Sequence, residues 1–421
     1  MRTESSRHAR TRRSHLHQAG AEADEMTRPC LEVADIVRKH GDEFLEGQPG
    51  WFTFQHLKVY RAITACRTHT LGGHLDQCSQ CGYRAISYCS CRNRHCPKCQ
   101  TNARNKWLAA RSKELLSVGY FHVVFTLPHQ FSGLALQNKR VIYDLLFRTC
   151  AETLLEVAYN PEHLGAEIGF LCVLHTWGQN LLHHPHIHCV IPTGGLSPDH
   201  TAWVHPRYHF FLPVEVLSLV FRGKFTAALK RAFRRGELIF HDRLRCLSNQ
   251  KMFRSLLRSV FAHDWVVYAK KAFGGPEHVL HYLARYTHRV AISNHRLISL
   301  EDGKVTFRWK DYAHNNRQRK MTLPSEEFLR RFFLHVLPHG FVRIRFFGFL
   351  ANRSRAKMLP LCRRLLEMPS QEPTPADSVA EARPPAGWKC PCCSGPMVII
   401  GTLTVQQLHW FAFEQSSVDT S

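Results

Sequence analysis

Two pairs of cysteines with the spacing of metal ligands lie in the first quarter of the chain. Cys78 and Cys81 form one pair, and Cys96 and Cys99 form the other. A Cys-x2-Cys pair can place two sulfurs on one turn, at the separation that a tetrahedral zinc ion requires. We therefore predict a zinc site made of these four cysteines. Its role would be structural, because four protein ligands leave no coordination position for a substrate.

Other ligand-forming side chains surround these pairs and leave open whether a second zinc is bound. The residues that could form a second set of four ligands are Cys66, His74, Cys91 and His95. Buried thiols and surface histidines that bind nothing explain the same residues equally well. Both interpretations stay open at the level of sequence.

A candidate site for another metal lies in LLHHPHIHCVIPTGG, residues 181–195. His186 and His188 are two apart in a run typical of a β-strand, so they would lie on one face, about 6.6 to 6.8 Å apart along the chain. Two imidazoles in this arrangement could converge on one divalent ion. The opposite face would be apolar, with Ile187, Cys189 and Ile191. Alternatively, both histidines are polar residues on a half-buried strand.

The third ligand of such an ion is less certain from spacing. Gln179 ends the preceding β-rich run, and a hairpin through LLHHP would bring its amide oxygen toward the same ion. We therefore predict Gln179 as the third ligand. The competing residues are Glu167, His175, His183 and His184.

A candidate nucleophile lies in HYLARYTHRVAIS, residues 281–293. Tyr282 and Tyr286 are four apart and would share one helical face, with Arg285 and Arg289 beside them. A phenol could attack a phosphodiester while the guanidiniums offset charge in the transition state. A phenol of pKa near 10 needs activation, which a divalent ion that polarises the phosphate could supply. The alternative is an amphipathic helix with tyrosines at the edge of the core.

The overall charge indicates a polyanionic partner. The 421 residues include 56 Lys and Arg against 33 Asp and Glu, a formal net charge of +23. Such an excess attracts nucleic acid, and Arg92 and Arg94 in the cysteine-rich segment would face phosphates. The chain contains neither a run of 18 apolar residues nor a signal peptide, so we expect a cytoplasmic protein, nucleoid-associated when it acts, with no membrane partner.

The elements that position these residues follow from periodicity. Residues 31–63 predict two helices interrupted by GQPG, and strands are predicted at 120–127, 170–177 and 186–192. The alternation of helices and strands predicts an α+β fold. Further β-rich runs are KVTFRW and FVRIRFFGFL, and 370–387 has the composition of a linker. The terminal Cys390, Cys392 and Cys393 lack a second pair nearby in sequence, which argues against a zinc site of their own.

These observations together predict five regions. They are a disordered basic tail at 1–29, a helical lead and zinc-binding domain at 30–105, a domain at 106–300 that contains the histidine and tyrosine motifs, a C-terminal β-rich and helical extension at 301–369, and a linker with a short cysteine-containing tail at 370–421.

Three motifs in this order resemble one known family. SCRNRHCPKCQ, HPHIHCVIPTGG and YLARYTHRVAISN are similar to motifs of the insertion-sequence-ninety-one family of bacterial rolling-circle transposases, which belong to the HUH superfamily of single-strand endonucleases. The resemblance extends from about residue 31 to 357 and includes LPHGFVRIRFFGFLANR. It implies an antiparallel sheet flanked by helices, of the ferredoxin or RRM-like kind, preceded by a small zinc-binding module.

The resemblance also implies residue roles. His186 and His188 match the HUH pair, Tyr282 and Tyr286 match the two-tyrosine motif, and the two cysteine pairs match the zinc module. In such enzymes a tyrosine attacks single-stranded DNA at the element's end, which gives a 5′-phosphotyrosine bond and a free 3′ hydroxyl. The implied cofactors are structural Zn²⁺ and catalytic Mg²⁺ or Mn²⁺, and the implied partners are the element ends and target DNA. The alternatives are a plasmid replication initiator or relaxase of the same chemistry, and a non-catalytic zinc-dependent DNA-binding regulator.

Overall fold

The secondary structure is given by a computed structural model, which describes residues 29–47, 50–206, 212–271, 290–311, 314, 316–368 and 385–409. The helices are α1 (Val33–Gly47), α2 (Phe54–Ala65), α3 (Pro97–Ser112), α4 (Ser132–Gln137), α5 (Lys139–Tyr159), α6 (Val214–Arg234), α7 (Gln250–Phe261), α8 (Ser325–Leu334) and α9 (Arg355–Leu365). The strands up to the middle of the chain are β1 (Gly73–Cys78), β2 (Arg84–Tyr88), β3 (Tyr120–Thr126), β4 (Gly169–Trp177), β5 (His183–Pro192), β6 (Gly195–Leu196) and β7 (Trp203–Val204). The later strands are β8 (Val267–Lys271), β9 (Leu297–Glu301), β10 (Lys304–Asp311), β11 (Arg317–Pro324), β12 (Ile344–Gly348), β13 (Pro385–Lys389) and β14 (Pro396–Leu403).

Some predicted regions lie mostly or wholly outside the described residues. They are the basic tail, most of the 370–387 linker, and the segment with Tyr282, Arg285, Tyr286 and Arg289. From Leu31 onward the chain forms one compact unit.

A five-stranded antiparallel sheet organises the middle of the chain. Its strand order is β12-β4-β5-β3-β8. One face is apolar because side chains alternate along each strand, and residues such as Phe125, Phe170 and Ile187 are fully buried on it. The predicted apolar face of β5, with Ile187, Cys189 and Ile191, is therefore confirmed.

Helices α5, α6 and α7 supply the apolar side chains that cover this face. Phe221 on α6 makes an edge-to-face contact with Phe125, with ring centroids 5.0 Å apart, and it also contacts Trp265. The predicted strand FVRIRFFGFL joins this sheet at its edge, since β12 pairs with β4 from Ile344 opposite Val173 to Gly348 opposite Gly169. Residues 344–348, which were predicted to belong to a C-terminal extension, thus form an edge strand of the central sheet.

A second core connects the beginning of the chain with its last third. Helices α1 and α2, which confirm the two predicted N-terminal helices, pack against α8 and the sheet β9–β11. Phe44 on α1 stacks on Phe333 on α8, with centroids 5.9 Å apart. Residues of the predicted zinc-binding domain and of the predicted C-terminal extension therefore share one core.

A four-stranded sheet joins the first and last strands of the chain. Its order is β13-β14-β1-β2, and β14 pairs with β1 from Gly73 opposite Leu403 to Cys78 opposite Met397. The cysteine-containing tail predicted at 370–421 thus completes the sheet of the zinc module.

The described architecture confirms the predicted α+β class, with antiparallel sheets flanked by helices and a cysteine-rich module at the start. Within the described ranges, no helix is both long enough and apolar enough to cross a lipid bilayer.

The buried His335 predicts acid sensitivity of the fold. His335 accepts from the Thr176 hydroxyl at 3.1 Å and donates to the Leu181 carbonyl at 2.9 Å, which ties the end of α8 to the β4–β5 hairpin. Burial lowers the pKa of His335 to about 3. Between pH 6.5 and 3 the unfolded chain therefore binds a proton that the folded chain does not, and stability falls as the pH falls through this window.

We expect this one residue to remove about 2 kcal/mol of stability between pH 7.5 and pH 5, because 1.5 pH units below a pKa of 6.5 correspond to that energy. Thermal unfolding at both pH values measures the loss. The His335→Gln variant should unfold at a lower temperature than the wild type at pH 7.5. Its stability should fall less than that of the wild type between pH 7.5 and pH 5. An equal loss of stability on acidification in the variant and in the wild type would show that His335 is not the group responsible.

Candidate functional site

Three histidines converge on one face of the central sheet. The ligand atoms of His175, His186 and His188 all lie within 4.8 Å of one another. Strand pairing explains the cluster, because β4 and β5 form a hairpin that places His175 directly opposite His186 and Val173 opposite His188. His175 and His188 are buried, and His186 is partly exposed. The predicted convergence of His186 and His188 on one face is thus observed in the geometry, with a third imidazole beside them.

Hydrogen bonds fix the orientation of two of these rings. Nδ1 of His186 donates to the His184 carbonyl at 2.6 Å, which leaves Nε2 for coordination. Nδ1 of His188 is 2.7 Å from Nε2 of His122 on the neighbouring strand β3. Coordination by His188 would therefore use Nε2. Metal-binding histidines in proteins usually have such a second partner on the other ring nitrogen.

The structure offers a further candidate for the third donor besides the predicted Gln179. Gln179 lies in the hairpin loop, two residues beyond the end of β4, and its carbonyl accepts from the Arg296 guanidinium at 2.5 Å. His175 lies on β4 directly opposite His186, next to a register shift between His175 and Trp177. We therefore take His175 as the candidate third ligand that the geometry supports, and Gln179 stays a prediction from the sequence. Trp177 pairs with His183, and a register shift between His175 and Trp177 brings His175 opposite His186 instead of Pro185, which the sequence pattern did not signal.

The other residues considered as third ligand have different contacts. Glu167 pairs with His200 at 3.0 Å, and Nε2 of His183 is 2.8 Å from the Tyr143 hydroxyl. His184 is exposed, and it contributes its backbone carbonyl to the cluster rather than being one of the three donors.

The chemistry of the donor set favours a transition metal. Burial lowers the pKa of His186 to about 3 and that of His188 well below its usual value, so both rings are neutral near pH 7 and have a lone pair for a metal. Imidazole suits transition-metal ions, whereas Mg²⁺ prefers carboxylates, carbonyls and water. Of the two predicted ions, Mn²⁺ fits three imidazoles better than Mg²⁺.

The same face of the sheet continues to an exposed edge. Across the ladder from His188, Val124 on β3 pairs with Tyr268 on β8, and His122 pairs with Lys270. Tyr268 is half exposed, so a phenol ring and an ammonium group lie on the histidine face. β8 ends at Lys271, one residue before the undescribed segment 272–289. The predicted nucleophiles Tyr282 and Tyr286 therefore lie outside the described residues.

Two clusters of four cysteines replace the single predicted one. Cys96 and Cys99 lie with Cys66 and Cys91, and these four sulfurs are within 4.8 Å of one another. The Sγ atoms of Cys66 and Cys91 are each 3.5 Å from that of Cys99, close to the separation of about 3.8 Å between thiolates on a tetrahedral zinc. The cluster lies against the second core, since Cys66 ends α2 and Cys96 begins α3.

The pair Cys78 and Cys81 belongs to a different cluster. Its partners are Cys390 and Cys393 from the end of the chain, again with all four sulfurs within 4.8 Å. The single site of Cys78, Cys81, Cys96 and Cys99 is thus corrected, because each pair lies in a cluster of its own. The pairing of β14 with β1 brings the terminal cysteines to the module, and sequence distance concealed this.

The two histidines considered as zinc ligands lie elsewhere. Nε2 of His95 accepts from the Leu337 backbone N–H at 3.1 Å, and its Nδ1 is 3.1 Å from Oδ1 of Asn93, so both ring nitrogens are engaged. Nε2 of His74 is 3.6 Å from Sγ of Cys89, and neither residue belongs to a four-cysteine cluster. Only Cys66 and Cys91 of the proposed second set join a cluster of four.

A cleft beside the first cysteine cluster concentrates positive charge. The cations that line it are Lys58, Arg92, Arg94 and Arg343. Arg94 donates to the carbonyls of Phe341 at 2.5 Å and Pro338 at 3.0 Å, which gives it a structural role that the sequence did not reveal. Lys58, Arg92 and Arg94 are exposed. The cleft is therefore a candidate surface for phosphates, with Lys58 and Arg92 as its exposed cations besides Arg94, whose guanidinium is held by two carbonyls.

Comparison with known proteins gives the class. A family model described as "Transposase zinc-binding domain" matches residues 36–127, and one described as "Putative transposase" matches residues 169–357. The chain is 52% identical over 383 residues to "Putative transposase y4qJ" of Sinorhizobium fredii, which covers 89% of this chain and 96% of that protein. It is 28% identical over 370 residues to "Transposase for insertion sequence element IS801" of Pseudomonas savastanoi pv. phaseolicola, covering 84% and 86%. No solved structure matches the chain significantly.

These matches define a transposase with a zinc-binding domain, an enzyme whose substrate is DNA. The chain belongs to the insertion-sequence-ninety-one family of transposases, and the resemblance drawn from the three motifs is confirmed.

Proposed function

We propose that this transposase nicks and rejoins single-stranded DNA at the ends of an insertion sequence, through a metal-assisted 5′-phosphotyrosine intermediate, as in rolling-circle transposition. The observation that carries the proposal is the cluster of His175, His186 and His188 on one face of the central sheet, with the HUH pair on adjacent same-face positions of β5. The two-tyrosine motif follows β8, an edge strand of the same sheet.

The chemical step conserves one phosphodiester bond. The phenol oxygen of Tyr282 or Tyr286 forms a bond to the phosphorus, and the bond from phosphorus to the 3′ oxygen breaks. The leaving 3′ oxygen takes up a proton to replace the one lost by the phenol. Attack by a 3′ hydroxyl of target DNA on the phosphotyrosine reverses these changes, so rejoining needs no nucleotide cofactor.

His175, His186 and His188 would hold the divalent ion of this reaction, with Mn²⁺ favoured by the donor set. When bound, the ion polarises the scissile phosphate and offsets developing negative charge. His122 and the His184 carbonyl keep two of the rings oriented through their Nδ1 atoms. Lys270 and Tyr268 on the same face are placed to contact the strand by charge and by base stacking.

The first cysteine cluster would hold structural zinc. Four thiolates fill the coordination sphere, and the cluster links the end of α2 to the start of α3 beside the second core. This placement fixes the loop of Arg92 and so the shape of the basic cleft.

A direct test uses a single-stranded oligonucleotide copied from the DNA that flanks the gene. A label at its 3′ end should become covalently attached to the purified protein with Mn²⁺, and a label at its 5′ end should appear on a released fragment with a 3′ hydroxyl. Attachment of the 5′ label to the protein would show that the proposed 5′-phosphotyrosine bond is wrong. If neither product forms, the proposed nicking activity is wrong.

The basic cleft yields a prediction about DNA affinity. The double variant Lys58→Ala/Arg92→Ala should bind single-stranded DNA more weakly at low salt. Each lost phosphate contact should also reduce the slope of log affinity against log salt by about 0.7, because fewer counterions are released. Fluorescence anisotropy at several salt concentrations measures both quantities.

Lys251→Ala/Arg254→Ala is the matched control, because it removes the same two charges from exposed positions on α7. An unchanged salt slope in the cleft variant, or an equal change in the control, would show that the cleft does not hold the strand.

A further inference from the structure

The cluster of Cys78, Cys81, Cys390 and Cys393 has the geometry of a complete metal site, assembled from segments more than 300 residues apart. Sγ of Cys78 is 3.5 Å from Sγ of Cys393, and Sγ of Cys81 is 3.5 Å from Sγ of Cys390. Zinc–sulfur bonds of about 2.3 Å in a tetrahedron separate two thiolates by about 3.8 Å, whereas a disulfide needs about 2.05 Å. The sulfurs thus have the spacing of thiolates that share an ion.

The two cysteine pairs also lie on turns with the same backbone pattern. In the first turn, Cys78 N–H donates to the Tyr83 carbonyl at 2.8 Å, and Gly82 N–H donates to the Cys78 carbonyl at 3.2 Å. The residue four positions after the first cysteine, Gly82, has a φ of 74°. The backbone N–H of Gln80 also lies 3.4 Å from Sγ of Cys78.

The second turn repeats this arrangement position by position. Cys390 N–H donates to the Gly395 carbonyl at 2.9 Å, and Ser394 N–H donates to the Cys390 carbonyl at 2.8 Å. Ser394, four positions after the first cysteine, has a φ of 58°, although it is not glycine. Left-handed backbone at a non-glycine residue is costly, so the fold holds this turn in place against a local penalty.

The contacts around the cluster show a built interface. Each pair lies at one end of a β-hairpin, and the central strands of the two hairpins, β1 and β14, pair with each other. Cys78, Cys390 and Met397 are buried together. The Trp388 indole donates to the carboxylate of the fully buried Asp76 at 2.8 Å. Residues 385–409 therefore contact the N-terminal module through strand pairing and the Trp388–Asp76 hydrogen bond, in addition to the four cysteines.

We propose that these four cysteines bind a second structural zinc ion, which fastens residues 385–409 to the N-terminal module. This site extends beyond the matched zinc-binding domain, because Cys78 and Cys81 lie within that domain and the other two ligands follow it by more than 260 residues. Zinc suits the site because four thiolates form the closed tetrahedral set typical of structural zinc.

Metal analysis of the purified full-length protein tests the site. Cys390→Ser/Cys393→Ser should contain one zinc equivalent fewer per chain than the wild type. Cys392→Ser is the matched control, because Cys392 lies between the two ligands and outside the cluster, and it should keep the wild-type content. Equal zinc content in the double variant and wild type would overturn the proposal, as would loss of zinc from the control.

Thiol labelling of the wild-type protein gives a second test that does not require a variant to fold. Cys392 and Cys393 are adjacent and both exposed, so they should react alike with iodoacetamide unless one is bound to metal. We expect Cys392 to label quickly and Cys393 to label only after a chelator removes zinc, as resolved by peptide mass spectrometry. Equally fast labelling of both cysteines before chelation would contradict the site.

Discussion

The double variant Tyr282→Phe/Tyr286→Phe should form no covalent adduct with single-stranded DNA, although it should still bind the strand. Phenylalanine retains the ring and removes the oxygen that would attack phosphorus, so the loss would be specific to the chemical step. Each single variant reports whether one phenol suffices for the first cleavage. A denaturing gel that follows a 3′-labelled oligonucleotide onto the protein measures the effect, which should be complete for the double variant.

Tyr268→Phe is the matched control for this experiment. Tyr268 is half exposed on the histidine face of the sheet, so it presents a phenol near the proposed metal site. Its variant should still form the adduct, because a stacking role needs the ring and not the hydroxyl. Adduct formation by the Tyr282/Tyr286 double variant, or its loss from Tyr268→Phe, would reassign the nucleophile.

Replacing the HUH pair should slow cleavage at least about 100-fold, because charge stabilisation by a bound ion is worth several kcal/mol. In His186→Ala/His188→Ala, two of three imidazole donors are lost, while both cysteine clusters stay intact. Single-turnover cleavage at saturating DNA measures this loss and separates it from binding. Wild-type protein should cleave faster with Mn²⁺ than with the same concentration of Mg²⁺, because its donors are imidazoles.

Two further variants discriminate coordination from packing. His184→Ala keeps the backbone carbonyl that orients His186 and removes an exposed ring, so it should cleave normally. His122→Ala removes the partner of His188 Nδ1 and should cost about 10- to 100-fold in metal affinity or rate, with partial recovery at higher Mn²⁺. Normal cleavage by the double variant would exclude the histidine cluster as the metal site.

Local patterns in the sequence predicted the two N-terminal helices, strands β3, β4, β5 and β12 of the central sheet and the shared face of His186 and His188. The period-two spacing of His186 and His188 places both on one face regardless of the rest of the fold. The third donor could not be settled in this way, because it depends on the register of a hairpin. His175 pairs with His186 because the register shifts between His175 and Trp177, and the apolar pattern does not report such an irregularity.

Long-range pairing explains the failures in the cysteine assignments. Both Cys-x2-Cys spacings were recognised in the first module, but spacing does not tell which pairs share an ion. The partner of Cys78 and Cys81 is reached only through the pairing of β1 with β14, and no local signal reports a contact across 300 residues. Arg94 is a similar case, since its contacts with the 338–341 segment arise from tertiary packing.

The sheet that joins β1 to β14 has a consequence for the order of folding. Gly73 pairs with Leu403, so the sheet cannot be completed on the ribosome until residue 403 has been synthesised. Until then, β1 exposes an unpaired edge, which is prone to wrong pairing with other chains. A copy of the gene shortened by a late stop codon would keep every proposed catalytic residue and still produce a protein with that edge uncovered.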